Sequence, residues 1–441
     1  MTKPTLSIIG LGKLGSPMVA AYASKGYKII GVDVNPEFVR LINEGKPPVL
    51  EPKLEEYLEE NKERIRATQD YKEAVLNSDI TFIIVPTPSK EDGEFSTKYA
   101  IEAGKEIGKA LKDKDAYHLV VLTSTLTPGY TEKDLLTALE ESSGKKCGVG
   151  FDLCYNPEFI ALGNVIQGLL YPDLVLIGES SKRGGEILEN FYNNICEKKP
   201  PIKRMSIVNA EITKISLNTY VTTKISYANM ISELCEKIPG GNIDVVTDAL
   251  GCDERIGPKY LKGGLGYGGP CFPRDNRALM QAAKRFGLSL PLAEATDRIN
   301  KNQVPRVINL ILSALSEGGK VAILGLSYKP DTSVVEESQG VEIAGILAEK
   351  GIEVVVFDPL AMENAKKVLG DKVSFCDSLK ECMQKGDVIV VVTPWKEFLA
   401  IEADWLKRPN GKIKIVDCWR FLDFEKYKEV ADYLPLGINN L

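Results

Sequence analysis

The strongest constraint lies near the start of the chain, where the apolar run TLSIIG (5–10) ends in Gly10-Leu11-Gly12-Lys13-Leu14-Gly15. An amphipathic stretch, SPMVAAYASKG, follows, and a second apolar run, YKIIGVDVN, reaches Asp33. Strand, glycine turn, helix and strand in that order open a parallel, doubly wound α/β sheet. In such a turn the first glycine permits the tight bend and the second lets the backbone approach a pyrophosphate. The third lets helix and strand pack closely. The helix N-terminus then offers N–H groups and the positive end of its dipole to the phosphates. Asp33 falls close to the expected position, about 20 residues on, and can accept from both ribose hydroxyls, whereas it would repel a 2′-phosphate. Gly10, Gly12, Leu14, Gly15 and Asp33 therefore predict a site for NAD rather than NADP.

Further strand signals lie at DITFIIVPTP, HLVVLTST and LVLIG, between helix-like segments such as TKYAIEAGKEIGKAL. This alternation makes residues 1–203 one α/β domain. The connector KKPPIKRM (198–205) marks a change, and residues 207–238 then carry helical periodicity without Pro or Gly up to Pro239-Gly240-Gly241. So long a helix suits a spine between two lobes. Helical signal continues to about residue 316, interrupted by the glycine-rich stretch 263–269, which defines a central segment 204–317. The last segment, 318–441, repeats the first in outline. KVAILGLSY resembles TLSIIGLGK, EKGIEVVVFDP resembles SKGYKIIGVDV, and GDVIVVVTP resembles SDITFIIVPTP, with Asp358 and Asp33 closing matching strands. The expectation is a second, degenerate Rossmann-like domain. It lacks G-x-G-x-x-G and is not expected to hold a dinucleotide in the same way.

Composition removes other classes. The 441 residues carry 55 basic and 61 acidic side chains, spread along the chain, which argues against a nucleic-acid or polybasic membrane binder. No apolar run reaches the roughly 18 residues a membrane span needs. The chain runs straight into the strand-like LSIIG without a signal-peptide pattern, and its 9 cysteines form no C-x-x-C pair. A cytoplasmic protein without a disulfide framework or metal site is expected. The single histidine, His118, opens a buried strand in AYHLVVLTST and reads as structural. Zinc sites rich in histidine are thereby set aside, and acid–base work falls to Lys, Asp, Glu and Cys.

Four constellations could carry that work. In GGLGYGGPCFPRD the glycines read as a flexible wrap, Asp275 as an N-cap, and Cys271 as a residue just before a helix N-terminus with Arg274 nearby. Both neighbours favour thiolate over thiol, whose ordinary pKa is about 8.5. Spacing alone leaves a structural cysteine and a reactive one both open, and likewise a capping and a catalytic Asp275. Lys214 and Asn218, at i and i+4, share one face of the long helix, with the lysine pointing into a cleft or into solvent. Ser124-Thr125 ends a strand at the carboxyl edge of the first sheet, and Asn156-Pro157-Glu158-Phe159 sets a carboxylate in a loop. The Cys147/Cys154 and Cys376/Cys382 spacings suggest no metal site.

Taken in order, GLGKLG, VDVN, PTP, TST, NPEF, TKISLN, DERIGPKYLKGGLGYGGPCFPRD and GLSYKPDT resemble the nucleotide-sugar 6-dehydrogenase family over essentially the whole chain. The resemblance implies two Rossmann-like domains joined by a long central helix and a small helical domain, assembled as a homodimer or higher homo-oligomer. It implies four-electron oxidation of a sugar C6 hydroxyl to a carboxylate, with two NAD used in turn and UDP-glucose as the first choice of nucleotide sugar. In that scheme Asp275 helps remove the hydroxyl proton and Cys271 forms a thiohemiacetal and then a thioester. Lys214 and Asn218 stabilise negative oxygen, and Glu158 with Thr125 serves the hydrolytic water. Cofactor contacts fall on Pro86, Thr87, Thr125 and Lys329 as well as the glycine turn. Substrate contacts fall on Phe159, Lys214, Asn218, Tyr260, Lys262, Gly268 in the 263–269 backbone, Phe272, Lys329 and Arg420. Arg255 matches an arginine that reaches the neighbouring subunit's substrate in UDP-glucose enzymes, which implies a shared active site. GDP-mannose and UDP-N-acetylhexosamines stay open as substrates, as does a catalytically inactive NAD-binding regulator or scaffold.

The chain departs from the family pattern in three places. K-P-x-T-x-x-x-R-E-S reads Lys329-Pro-Asp-Thr-Ser-Val-Val-Glu336-Glu337-Ser338, so an acid replaces an arginine. Leu162 stands where an acid is usual, and D-G-R reads Asp417-Cys418-Trp419-Arg420. These changes touch cofactor and uridine-side contacts and leave the Cys271 centre intact.

Overall fold

The computed structural model describes residues 3–160, 163–409 and 411–439. Eight strands form the first sheet: β1 (Leu6–Ile9), β2 (Ile29–Val32), β3 (Ile65–Thr68), β4 (Ile80–Ile83), β5 (His118–Leu122), β6 (Phe151–Tyr155), β7 (Val175–Glu179) and β8 (Ile202–Ser206). Their order is β3-β2-β1-β4-β5-β6-β7-β8, parallel throughout except that β7 runs antiparallel to β6. A second sheet holds β9 (Val321–Leu324), β10 (Val354–Phe357), β11 (Ser374–Phe375), β12 (Val388–Val391), β13 (Ile413–Asp417) and β14 (Ala431–Pro435). All its pairs are parallel, in the order β11-β10-β9-β12-β13-β14. Each sheet thus contains the doubly wound 3-2-1-4-5-6 order. The order reverses beside β1 in the first sheet and beside β9 in the second, where such folds open a crevice for ligands.

The strands read as unbroken apolar runs because both faces are covered. Ile80 and Phe82 of β4, with Leu119 and Val121 of β5, enter one core layer. Ile83, Val120 and Leu122 enter the opposite layer. The second sheet alternates in the same way: Val321 and Ile323 face one side, Ala322 and Leu324 the other.

Between the sheets in sequence runs a helix of 31 residues, Ile207–Lys237. The chain divides into two compact units, Met1–Ser216 and Leu217–Leu441, and the division falls inside this helix. Among the described residues no helix is long and apolar enough to cross a membrane.

His118 is fully buried at the start of β5. Its Nδ1 accepts from the Lys114 ammonium at 3.0 Å, so Nε2–H donates to Thr81 Oγ1 at 2.7 Å. Burial, and then Lys114, push its pKa down to about 3. The ring is a neutral structural element.

The second lobe keeps more of the glycine turn than its sequence suggests. Gly10 has φ +103°, and a Cβ on Gly15 would collide with the Gly10 carbonyl. Gly325 has φ +101°, and a Cβ on Gly340 would collide with the Gly325 carbonyl. Residues 326–339 replace the middle of the motif. Asp358 matches Asp33 but is 1 % exposed, and its Oδ2 accepts from the Leu326 and Ser327 amides and from Trp395 Nε1.

Candidate active site

At the first glycine turn the three positions separate by what surrounds them. A Cβ on Gly10 or Gly15 would strike backbone, whereas one on Gly12 would meet nothing within 4 Å among the described residues. The open position is the one where a pyrophosphate must approach. Leu14 occupies the N-cap of the helix Gly15–Ser24, which has no side-chain cap and no acid in its first turn. Within this first turn Ser16 N already donates to the Gly12 carbonyl at 3.1 Å and Pro17 has no N–H, so the helix offers an anion the Gly15 amide and the positive end of its dipole. Asp33 receives the Leu11 amide on Oδ2 at 2.6 Å and the Asn35 amide on Oδ1 at 2.8 Å, so its carboxylate is held at the strand end. These residues fit a dinucleotide.

The neighbouring strand ends are tied together. Ser124 Oγ donates to the Val85 carbonyl at 2.7 Å and accepts from its amide at 2.8 Å. That bond ties Val85, which precedes Pro86 and Thr87, to Ser124, which precedes Thr125. Glu211 of the long helix accepts from the Gly129 and Thr131 amides at 2.6 and 3.0 Å and holds the segment that follows Thr125. Lys214, one turn further on, is 7 % exposed, which excludes the solvated reading. Its Nζ donates to the Glu158 carbonyl at 2.7 Å and stands 4.7 Å from the centre of the Phe159 ring. Glu158 is partly accessible as a residue, but its carboxyl is enclosed, and this burial pushes its pKa up to about 7. Hydrogen bonding from Tyr192 and the charge of Lys214 oppose the shift.

In the second unit the helix Phe272–Lys284 begins one turn earlier than the sequence suggested. Cys271, exposed, is its N-cap residue, and Asp275 lies inside the first turn. The physical reason is Pro273, which is at home in the first helical positions and draws the start forward. Asp275 is therefore not the cap. It is 4 % exposed, and its Oδ2 accepts from Asn218 Nδ2 at 2.6 Å. Cys271 sits at the positive end of this helix, which favours its thiolate.

The glycine-rich stretch is a packed strap, not a flexible wrap. A Cβ on Gly266 would strike Asn300, one on Gly268 the Glu337 carbonyl, and one on Gly269 the ring of Tyr328. Two buried or half-buried amides clamp its backbone. Asn229 accepts from Gly264 N at 2.8 Å and donates to Leu265 O at 3.1 Å, while Asn300 accepts from Tyr267 N at 2.7 Å and donates to its O at 2.9 Å. Phe272 stands edge-on to both Tyr260 and Tyr267. Neither asparagine was singled out from sequence. The available signal was a polar residue on an apolar helical face, which announces a partner without naming it.

The remaining candidates lie apart from Cys271 in character. Arg255 is exposed and paired with Asp253 at 2.7 Å; Lys262 is exposed, Tyr260 is exposed with φ +62°, and Lys329 is half-buried. Arg420 is enclosed: it grips both carboxylate oxygens of Asp244 at 2.7 and 2.8 Å and donates to the Gly263 and Leu436 carbonyls. Glu336 is exposed, and its carbonyl accepts from Gly269 N at 3.1 Å. Leu162 lies outside the described residues.

Residues 4–196 match the NAD binding domain of the UDP-glucose/GDP-mannose dehydrogenase family, 208–302 its central domain and 322–424 its UDP binding domain. The chain is 35% identical over 404 residues to the UDP-glucose 6-dehydrogenase AglM of Haloferax volcanii, covering 91% of this chain and 93% of that one. It is 34% identical over 432 residues to the GDP-mannose 6-dehydrogenase of Pseudomonas aeruginosa, covering 95% and 97%. The solved UDP-glucose dehydrogenase of the hyperthermophilic archaeon Pyrobaculum islandicum superposes with a TM-score of 0.90 at 33% identity, covering 99% of this chain and 98% of that one.

Proposed function

The chain belongs to the UDP-glucose/GDP-mannose dehydrogenase family, and from that premise we propose that it carries a nucleotide sugar from C6 alcohol to C6 carboxylate, with UDP-glucose as the substrate. The division at 203 and 317 then assigns the cofactor to the first segment, the reactive thiol to the second and the sugar nucleotide to the third. Bound NAD supplies the hydride acceptor for each of two oxidations.

Asp275, oriented by Asn218, takes the hydroxyl proton as C6 gives up its first hydride. The Cys271 thiolate then bonds to the aldehyde carbon as the C=O π bond opens, and the resulting oxyanion takes back the proton held by Asp275 to give a thiohemiacetal. Loss of a second hydride and of the hydroxyl proton leaves a thioester, and water bonds to C6 as the C–S bond breaks. Each oxidation removes two electrons and releases one proton, and the thioester retains the intermediate between them. Lys214 and Asn218 are donors aimed at negative oxygen. Glu158 and Thr125 serve the hydrolytic water.

The observation that carries this reading is the Asn218–Asp275 bond on a helix whose N-cap is an exposed cysteine. Support for a second copy comes from the long helix, where Leu217, Tyr220, Tyr227, Met230 and Leu234 are exposed. The exposed Arg255 suits a residue that acts across such an interface.

The deciding assay counts NADH per sugar nucleotide across UDP-glucose, GDP-mannose and UDP-N-acetylhexosamines. Two NADH per UDP-glucose, and less turnover on the others, are expected. One NADH with an aldehyde product would sink the thioester route, and preference for GDP-mannose would overturn the substrate. Mixing inactive Arg255→Ala and Cys271→Ala chains should restore activity once subunits exchange; no recovery would rule out a shared site.

A further inference from the structure

Behind Glu158 lies a hydrogen-bonded pair to which the proposed chemistry gives no part. Asn156 is 2 % exposed and donates from Nδ2 to the Leu176 carbonyl at 2.9 Å. That bond turns its Oδ1 the other way, onto the Tyr192 hydroxyl at 2.5 Å. An amide oxygen only accepts, so the single phenolic proton points at Asn156. The same hydroxyl reaches Glu158 Oε1 at 3.3 Å, so the carboxylate is a second and more distant acceptor for that one proton. A protonated Glu158 can instead donate into the lone pairs of the hydroxyl. A carboxylate would gain a donor only if Tyr192 turned its proton and left the buried Asn156 oxygen unpaired.

We propose that Asn156 and Tyr192 are positioning residues for Glu158: Asn156 competes for the phenolic proton, which weakens donation to Glu158 and leaves its carboxylate readier to take a proton from the hydrolytic water. The inference rests on Glu158 being the acid–base group of the hydrolytic step. The other groups facing the carboxyl are Tyr22, Cys196 and Lys214. Burial raises the Tyr22 phenol and pushes the Cys196 thiol up to about 11, so both are neutral. Lys214 is the cation, and its Nζ is engaged with the backbone carbonyl of Glu158. Glu158 itself is pushed up to about 7 by burial, and donation from Tyr192 would lower that value. Asn156 competes for the proton that such donation needs.

The test is an infrared pH titration of the Glu158 carboxylic C=O band on the full chain, identified by its loss in Glu158→Gln. Asn156→Ala frees the phenolic proton for the carboxylate and is expected to move the midpoint about one pH unit towards acid. In a Tyr192→Phe background the same substitution is expected to move nothing, because its effect runs through the phenol. An unmoved midpoint in Asn156→Ala, or a shift that persists without the phenol, overturns the proposal. Should Asn156→Ala not fold, Tyr192→Phe decides alone. Loss of the acceptor sends the carboxylic band to higher wavenumber, and an unchanged band overturns the proposal. Release of carboxylate product in a single turnover reports separately on the hydrolytic role. If the infrared midpoint moves while the release of product does not, the positioning of Glu158 by Asn156 and Tyr192 stands and its part in hydrolysis falls.

Discussion

Gly12 and Gly15 stand three residues apart, yet their substitution should fail in different ways. Gly12→Ala adds a methyl to open space and is expected to fold with little change in Tm while weakening NAD binding at least tenfold. Gly15→Ala drives a methyl into the Gly10 carbonyl and should lower Tm as well. Calorimetry with and without NAD separates the two. Glu158 supplies a second contrast. Its folded pKa, about 7, lies above the ordinary carboxylate value of 4.5, so the folded state favours the protonated form. The stability it contributes is complete below that ordinary value and is lost as pH rises through about 7. Glu158→Gln cannot ionise, so its Tm relative to the parent chain should climb between roughly pH 5 and pH 8; a constant difference would contradict the shift. The residues themselves were legible, because glycine, cysteine and carboxylate announce their chemistry by type. Their burial was not. Lys214 reads as an exposed lysine until the fold packs it on Glu158 and Phe159.

The strands and the helix Ile207–Lys237 follow from pattern alone, since apolar runs buried on two faces and a long stretch free of Pro and Gly leave few alternatives. Helix starts were harder. Asp275 carries the side chain of a cap, but the local preference of Pro273 moves the start to Phe272. The strap 263–269 is the other element whose character changed. Its glycines suggest looseness, and only the packed neighbours show that they are small because space is short. Asn300→Ala removes both clamps on Tyr267 and is expected to cost about 1–3 kcal/mol locally. Hydrogen exchange should accelerate in the strap before it does in β9 or β12. Uniform acceleration would show a global effect instead.

For the molecule as a whole, one strand order serves two lobes, but only the first offers an open glycine turn and an accessible acid at the end of β2. Ligand linkage follows: NAD at one hundred times its Kd should stabilise the fold by about 2.7 kcal/mol. NADP at the same concentration should do much less, because Asp33 repels the added phosphate. Equal shifts in a thermal titration would overturn the cofactor assignment. Sequence comparison of the lobes already pointed to a repeated architecture through Asp33 and Asp358. The conserved collision between third glycine and first carbonyl was invisible, because fourteen residues lie between Gly325 and Gly340 in place of four.

That collision bears on ancestry. If the lobes arose by duplication, the second gave up the dinucleotide contacts of the glycine turn and kept the steric rule that joins strand to helix. Substitution at Gly340 should then be as strictly limited across evolutionary time as at Gly15, although the selective pressure behind it is architectural and owes nothing to a ligand.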